Sequence, residues 1–181
     1  MKESITSRIN NLRTYMKAHG LAAYIFPSTD PHHSEYPPEY WKTREWISGF
    51  NGSAGTAVVT SDDAALWTDS RYFIAAEEQL KDTPFRLMKE RLEGTPSVTQ
   101  WLAEVLPPGS AWTNSADEIR TVREELTHCG LHLEIADQPA DTLWKNRPAL
   151  PDSSVRIQPP AFAGRSITEK LALIREAMAG R

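Results

Sequence analysis

The chain has 181 residues, 40% apolar and 24% charged, with a net charge of −4, the composition of a globular protein able to bury a substantial core. That balance gives no basic field, so nucleic acid is not an expected partner. Its one cysteine, Cys129, cannot close an internal disulfide, and no apolar run is long enough to be a signal core or a membrane span. A cytoplasmic, reducing compartment and no membrane partner are therefore expected.

The first helix is expected over residues 4–18. Its apolar residues Ile5, Ile9, Leu12 and Met16 recur with helical spacing, Ser4 or Thr6 can cap it, and Gly20 ends it. Leu21–Phe26 is a continuous apolar run too short for a buried helix, hence an inner strand stopped by Pro27. Residues 28–40 contain three prolines and several turn formers, which predicts a long surface loop. Trp46–Phe50 follows, and Asn51-Gly52 is the strongest short turn signal in the chain. Thr56–Thr60 and Ala64–Thr68, joined by Ser61-Asp62-Asp63, predict a hairpin. Next come a helix over 71–80, a strand over 85–88 and a helix over 97–106. The last is capped by Thr95 or Ser97 and broken by Pro107-Pro108-Gly109. A helix near 116–128 leads to a strand over 131–135, and residues 138–160, rich in proline, fit an ordered segment wrapping the domain edge. Helices alternating with strands, plus one hairpin, predict an α/β fold with a mixed β-sheet flanked by helices.

The start of the chain is nearly repeated at its other end. Ser166-Ile167-Thr168 echoes Ser4-Ile5-Thr6, Ile167, Leu171, Ile174 and Met178 follow the same steps, and Arg175 matches Arg13. Any surface helix acquires such spacing from its period, but the shared opening and the aligned Arg and Met favour repetition. The expected organisation is an N-terminal α/β domain over 1–137, a proline-rich linker or edge segment over 138–165, and the start of a second, truncated α/β domain over 166–181. On that reading the chain is a piece of something longer.

Few residues announce chemistry. Gly49, Gly52 and Gly55 fall three apart, but a phosphate cradle needs a helix N-terminus after it, and this stretch runs into the strand Thr56–Thr60. A tight turn in which backbone passes close to backbone, or to a neighbouring domain, fits better. Arg71 follows Asp69 and Ser70, either of which could cap the coming helix, and so is expected in its first turn. There a cation costs about 0.3–1 kcal/mol. Pattern alone favours a surface arginine tied to Asp69 or Glu35; the other reading is a cation aimed out of the sheet edge at a carboxylate or peptide carbonyl. His32 and His33 lie beside Asp30 and Glu35, but adjacent histidines point apart, so a solvated or interface loop is favoured over a metal site. Cys129, at a helix end, is expected to be a small buried residue. No catalytic constellation and no metal site is expected in this stretch.

Several stretches together resemble a known family. Asp30-x-His32-x-Ser34-Glu35-Tyr36, Trp46-Ile-Ser-Gly-Phe-Asn-Gly-Ser-Ala-Gly-Thr-Ala57 and Leu66-Trp-Thr-Asp-Ser-Arg-Tyr-Phe73 are similar to the N-terminal domain of Xaa-Pro aminopeptidases. These are the aminopeptidase P group of the creatinase/prolidase superfamily of M24 metallopeptidases. Leu106-Pro-Pro-Gly109 and Asp141-x-x-Trp144-x-x-Arg147-Pro148 fit the same pattern in the same order. The three-domain form is the better match, because prolidase and creatinase, the alternatives within the superfamily, have one N-terminal domain rather than two. A stand-alone binding module is the alternative of another class.

The resemblance implies a parent enzyme that removes the first residue of a peptide whose second residue is proline. It would use two Mn²⁺ or similar divalent ions held by two aspartates, a histidine and two glutamates. None of these ligands is matched here, so this chain is expected to hold no metal or other cofactor and to be inactive alone. Arg71 matches the arginine that reaches toward bound peptide and is the implied substrate-binding residue. His32, Ser34, Glu35 and Tyr36 match a loop bordering the active-site mouth, with no chemical role assigned. A homodimer is expected, with Tyr40 and Trp41 as exposed interface anchors. Ser70 stands where some members have glycine, and Tyr36–Trp41 is more proline-rich than the pattern.

Overall fold

Ser4 opens the chain's regular structure, its hydroxyl accepting the Ser7 N–H at 3.1 Å as the cap of α1 (Ile5–Ala18). The computed structural model describes residues 4–114, 120–134 and 136–180. It resolves into two compact units, Met1–Leu150 and Pro151–Arg181.

The first unit is built on a six-stranded mixed sheet in the order β4-β3-β2-β1-β5-β6. The strands are β1 (Ala23–Phe26), β2 (Thr56–Thr60), β3 (Ala64–Thr68), β4 (Arg86–Lys89), β5 (Ala111–Asn114) and β6 (His132–Leu133). The expected hairpin is β2–β3, paired Val58↔Ala65, and β2 also runs antiparallel to β1. Outward from this centre the pairing turns parallel, β3 with β4 and β1 with β5, then β5 with β6. The helices that permit those parallel returns are α3 (Phe73–Gln79), between β3 and β4, and α5 (Arg120–His128), between β5 and β6.

Successive strand residues face opposite sides, and both sides are covered. On one face Tyr24, Phe26, Val59 and Leu66 pack with Ile9, Leu12 and Met16 of α1 and with Trp46, Ile47 and Phe50. On the other, Ile25, Val58, Ala65 and Trp67 meet Trp101 and Leu102 of α4 (Val98–Val105) and Leu126 of α5. Burial on both faces explains why β1 reads as an uninterrupted apolar run. Ser97, one of the two candidate caps, holds the start of α4 in a reciprocal capping box with Gln100. Trp67 and Trp101 meet edge to face at 5.3 Å, worth about 0.5–1.5 kcal/mol beyond their burial.

Two elements of this unit carry little periodic signal. One is α2 (Thr43–Ser48), a short helix nearly all buried. The other is β5, whose one large apolar residue, Trp112, sits opposite Ala23 of β1. The expected helix start near residue 116 and the strand end at Ile135 lie outside the described residues. The unit also runs on past residue 137. α6 (Pro139–Leu143) buries Ala140, Trp144 stacks on Trp46 at 5.6 Å, and Arg147 donates to the Tyr40 carbonyl at 2.9 Å. The first part of the proline-rich segment is thus packed against the α1–α2 side of this unit.

In the second unit α7 (Pro160–Ala163) precedes α8 (Ile167–Ala179), which starts with a Ser166–Glu169 capping box. Ile167, Leu171, Ile174 and Met178, the apolar residues that echo α1, are exposed.

Candidate functional site

The glycine-rich turn is the hub of the site, because the residues around it hold its backbone in place. Gly49 ends α2 at φ 80°, a left-handed conformation open to glycine. Beyond it the Arg44 guanidinium donates to the Gly52 carbonyl, Thr68 Oγ1 to the Ala54 carbonyl at 2.7 Å, and Ser28 Oγ to the Gly55 carbonyl. Gln79 of α3 accepts the Asn51 N–H at 3.0 Å and donates to its side-chain oxygen at 2.9 Å. At Gly55 the chain does pass close to backbone, while Gly52 faces side-chain rings. A Cβ on Gly55 would stand 2.6 Å from the Trp67 carbonyl oxygen, and one on Gly52 2.3 Å from the Phe50 ring.

Arg71 stands beside this turn, at the exit of β3. The expected cap does not form: α3 begins at Phe73 with Tyr72 as its N-cap, so Arg71 precedes the helix rather than occupying its first turn. Asp69 instead folds the chain locally, accepting the Arg71 N–H at 3.0 Å. The same carboxylate takes the guanidinium side-on, Nε at 2.9 Å and Nη2 at 2.7 Å. This fork uses two of the five guanidinium N–H groups and leaves the rest uncommitted among the described residues. The Arg71 side chain is 66% exposed. Its Cζ lies 5.2 Å from the Tyr72 ring centroid, and the Tyr72 hydroxyl meets Ser53 Oγ at 2.6 Å, joining Arg71 to the glycine-rich turn. Hydrogen bonding to Arg71 holds the Asp69 carboxyl below the usual range, and the same contact raises Arg71.

The loop that follows β1 forms the opposite bank. Asp30, 2% exposed, is its organiser, a role that its sequence position did not disclose. Its carboxylate accepts the backbone N–H groups of His32 at 2.9 Å and Ser34 at 3.0 Å, and these bonds hold its pKa below the ordinary value despite burial. His32 is exposed and Ser34 half-buried, and neither lines the nearby cavity, whereas Glu35 and Tyr36 do. That cavity, of about 200 Å³, also takes in Trp41, Arg44, Asn51, Gly52 and Ser53. Arg44, not singled out in the sequence, carries no motif signal beyond its place before the glycine run. Arg71 is not part of the wall and reaches it only through Tyr72 and Ser53.

Two expectations about exposure are corrected. Tyr40 and Trp41 are half-buried rather than exposed, because Arg147 lies 3.6 Å from the Tyr40 ring centroid and covers it. Cys129 is exposed at the end of α5 rather than buried. Of the two partners that the sequence offered for Arg71, Asp69 is the one that holds it. Among the described residues no group of three or more His, Cys, Asp or Glu side chains could hold a metal ion, and no helix is long and apolar enough to cross a membrane.

Comparison with known proteins places this arrangement. The creatinase/prolidase N-terminal domain matches residues 8–123. Aminopeptidase P2 of Arabidopsis thaliana is 41% identical over 165 residues, which cover 86% of this chain and 23% of that protein. A probable Xaa-Pro aminopeptidase P of Neosartorya fischeri is 40% identical over 178 residues, 94% of this chain and 27% of that protein. The crystal structure of an X-prolyl aminopeptidase from Caenorhabditis elegans, described as a cytosolic enzyme with a di-nuclear active site, matches with a TM-score of 0.84 and 29% identity. That match covers 99% of this chain and 32% of the enzyme. The chain therefore spans about a quarter to a third of the relatives it matches. With its mixed sheet, its buttressed glycine-rich turn and a match over most of its length, this chain belongs to the creatinase/prolidase N-terminal domain family.

Proposed function

We propose that this chain is the non-catalytic N-terminal domain of a cytoplasmic Xaa-Pro aminopeptidase, which releases the first residue of peptides with proline in second position. The observation that carries this reading is a likeness over 99% of the chain that reaches only 32% of an X-prolyl aminopeptidase. Bond breaking would then belong to the part of the parent outside this match, including two divalent ions, manganese by expectation. The described residues here include no group of side chains that could hold a metal ion. The domain would shape access to the active site and contribute to a homodimer. α8 would open a second α/β domain, with the residues before it as linker.

Arg71 is the residue assigned to substrate. Its fork with Asp69 fixes the guanidinium in one orientation, Tyr72 supports one face, and the uncommitted N–H groups are free to take a peptide carbonyl or terminal carboxylate. His32, Ser34, Glu35 and Tyr36 belong to the loop at the mouth, where they would limit the bulk of the entering peptide without chemical work of their own.

The test is a side-by-side assay of the full-length parent, its Arg71→Ala variant and the 181-residue chain with Mn²⁺. Losing a charge-assisted hydrogen bond of about 1.5–3 kcal/mol predicts a roughly 10- to 100-fold fall in kcat/KM on longer Xaa-Pro peptides, with dipeptides less affected. The chain alone is expected to show no turnover. Unchanged kinetics in the variant would return Arg71 to a structural ion pair, and turnover by the chain alone would overturn the non-catalytic assignment.

A further inference from the structure

The cavity beside the glycine-rich turn has a graded wall. Glu35 and Tyr36 are exposed at one side, and Arg44 and Gly52 are buried at the other. Arg44 is 6% exposed. It gives Nη2 to the Gly52 carbonyl, while Nε and Nη1, both buried, meet no acceptor among the described residues. The Phe50 ring centroid lies 4.9 Å from its Cζ. Burial pushes Arg44 down to about 10, against the charge of Glu45 acting the other way, so desolvation outweighs the nearby carboxylate. A desolvated cation with one protein acceptor is under-compensated, and the cavity it lines is where counter-charge can be supplied.

The rest of the wall limits what that counter-charge can be. Tyr36, Pro37 and Trp41 offer apolar surface. Glu35 and Glu45 also line the cavity and disfavour a multiply charged anion such as phosphate. Lys42 is already tied to Glu39. A volume of about 200 Å³ lies below the range typical of drug-sized ligands and suits a single residue.

We propose that this cavity binds the α-carboxylate of a small apolar amino acid or of a peptide end, with Arg44 as counter-charge and Tyr36, Pro37 and Trp41 receiving the apolar body. The site is distinct from Arg71, although Ser53 lines it and meets the hydroxyl of Tyr72, the neighbour of Arg71, and it stands whether or not the peptidase reading does, because it is measured by binding alone.

The 181-residue chain is titrated with N-acetyl-leucine, N-acetyl-leucinamide, free leucine and inorganic phosphate, by calorimetry and by backbone amide NMR shifts. The acid is expected to bind at least about tenfold more tightly than its amide and than phosphate, with shifts centred on residues 35–37, 41–45 and 51–53. Equal binding of acid and amide, binding of phosphate as tight as the acid, shifts elsewhere, or no binding at millimolar acid overturns the site. Tighter binding of free leucine than of N-acetyl-leucine supports it and names a free amino acid as ligand; the reverse order supports it and names a peptide end. Arg44→Gln is expected to erase the acid–amide difference, and a retained difference counts against Arg44. Should that variant fail to fold through loss of the Gly52 contact, the acid–amide comparison on the unaltered chain decides alone.

Discussion

Gly55 shows how little room the turn allows. Its φ is 151°, and an added methyl would stand 2.6 Å from the backbone oxygen of Trp67, which belongs to a fully buried strand and cannot swing aside. Gly55→Ala is therefore expected to cost about 2–4 kcal/mol in urea unfolding, and a loss under about 0.5 kcal/mol would remove close approach as the reason for glycine there. Asp30 carries a pH dependence of definite sign. Its folded pKa is depressed, so its contribution is complete above the ordinary aspartate value near 4 and is lost as pH falls through the folded one. Asp30→Asn keeps an acceptor oxygen but loses the charge. The variant is expected to be less stable near neutral pH, with the gap to the unaltered protein closing below about pH 4. A gap that stays constant down to pH 2 would show that the charge does not hold the loop. At this scale the sequence disclosed Arg71 and the glycines but not Arg44 or Asp30. Their roles come from burial, which no linear spacing reveals.

Among elements, α1 and the β2–β3 hairpin were legible because each encodes its own period and its own stop. β5 and α2 were not. β5 is a strand because its backbone is paired between β1 and β6, which one tryptophan among small and polar residues cannot announce. The start of α3 was misplaced because Asp69 spends its carboxylate on its neighbour Arg71 instead of capping a helix. The segment after residue 137 was expected as a linker or edge segment, and α6, the Trp46–Trp144 stack and Arg147 between Tyr40 and Asp141 fasten its first part to the unit. A chain ended after Leu150 is expected to keep the unfolding midpoint of the first unit. One ended after Asp137 should lose about 2–4 kcal/mol, from the stacked tryptophan and the surface it covers. Equal midpoints for the two would make the segment dispensable.

At the scale of the molecule, the order of the motifs was enough to point to a mixed α/β family domain, because composition and periodicity act locally and survive in a linear reading. Tertiary structure alone decided which side chains share a wall. It linked Arg71 through Tyr72 to Ser53, and left Arg44 desolvated beside Glu35 and Tyr36. Such neighbours are brought together by sheet pairing across long stretches of chain, and burial and charge compensation are properties of that packing rather than of any one segment.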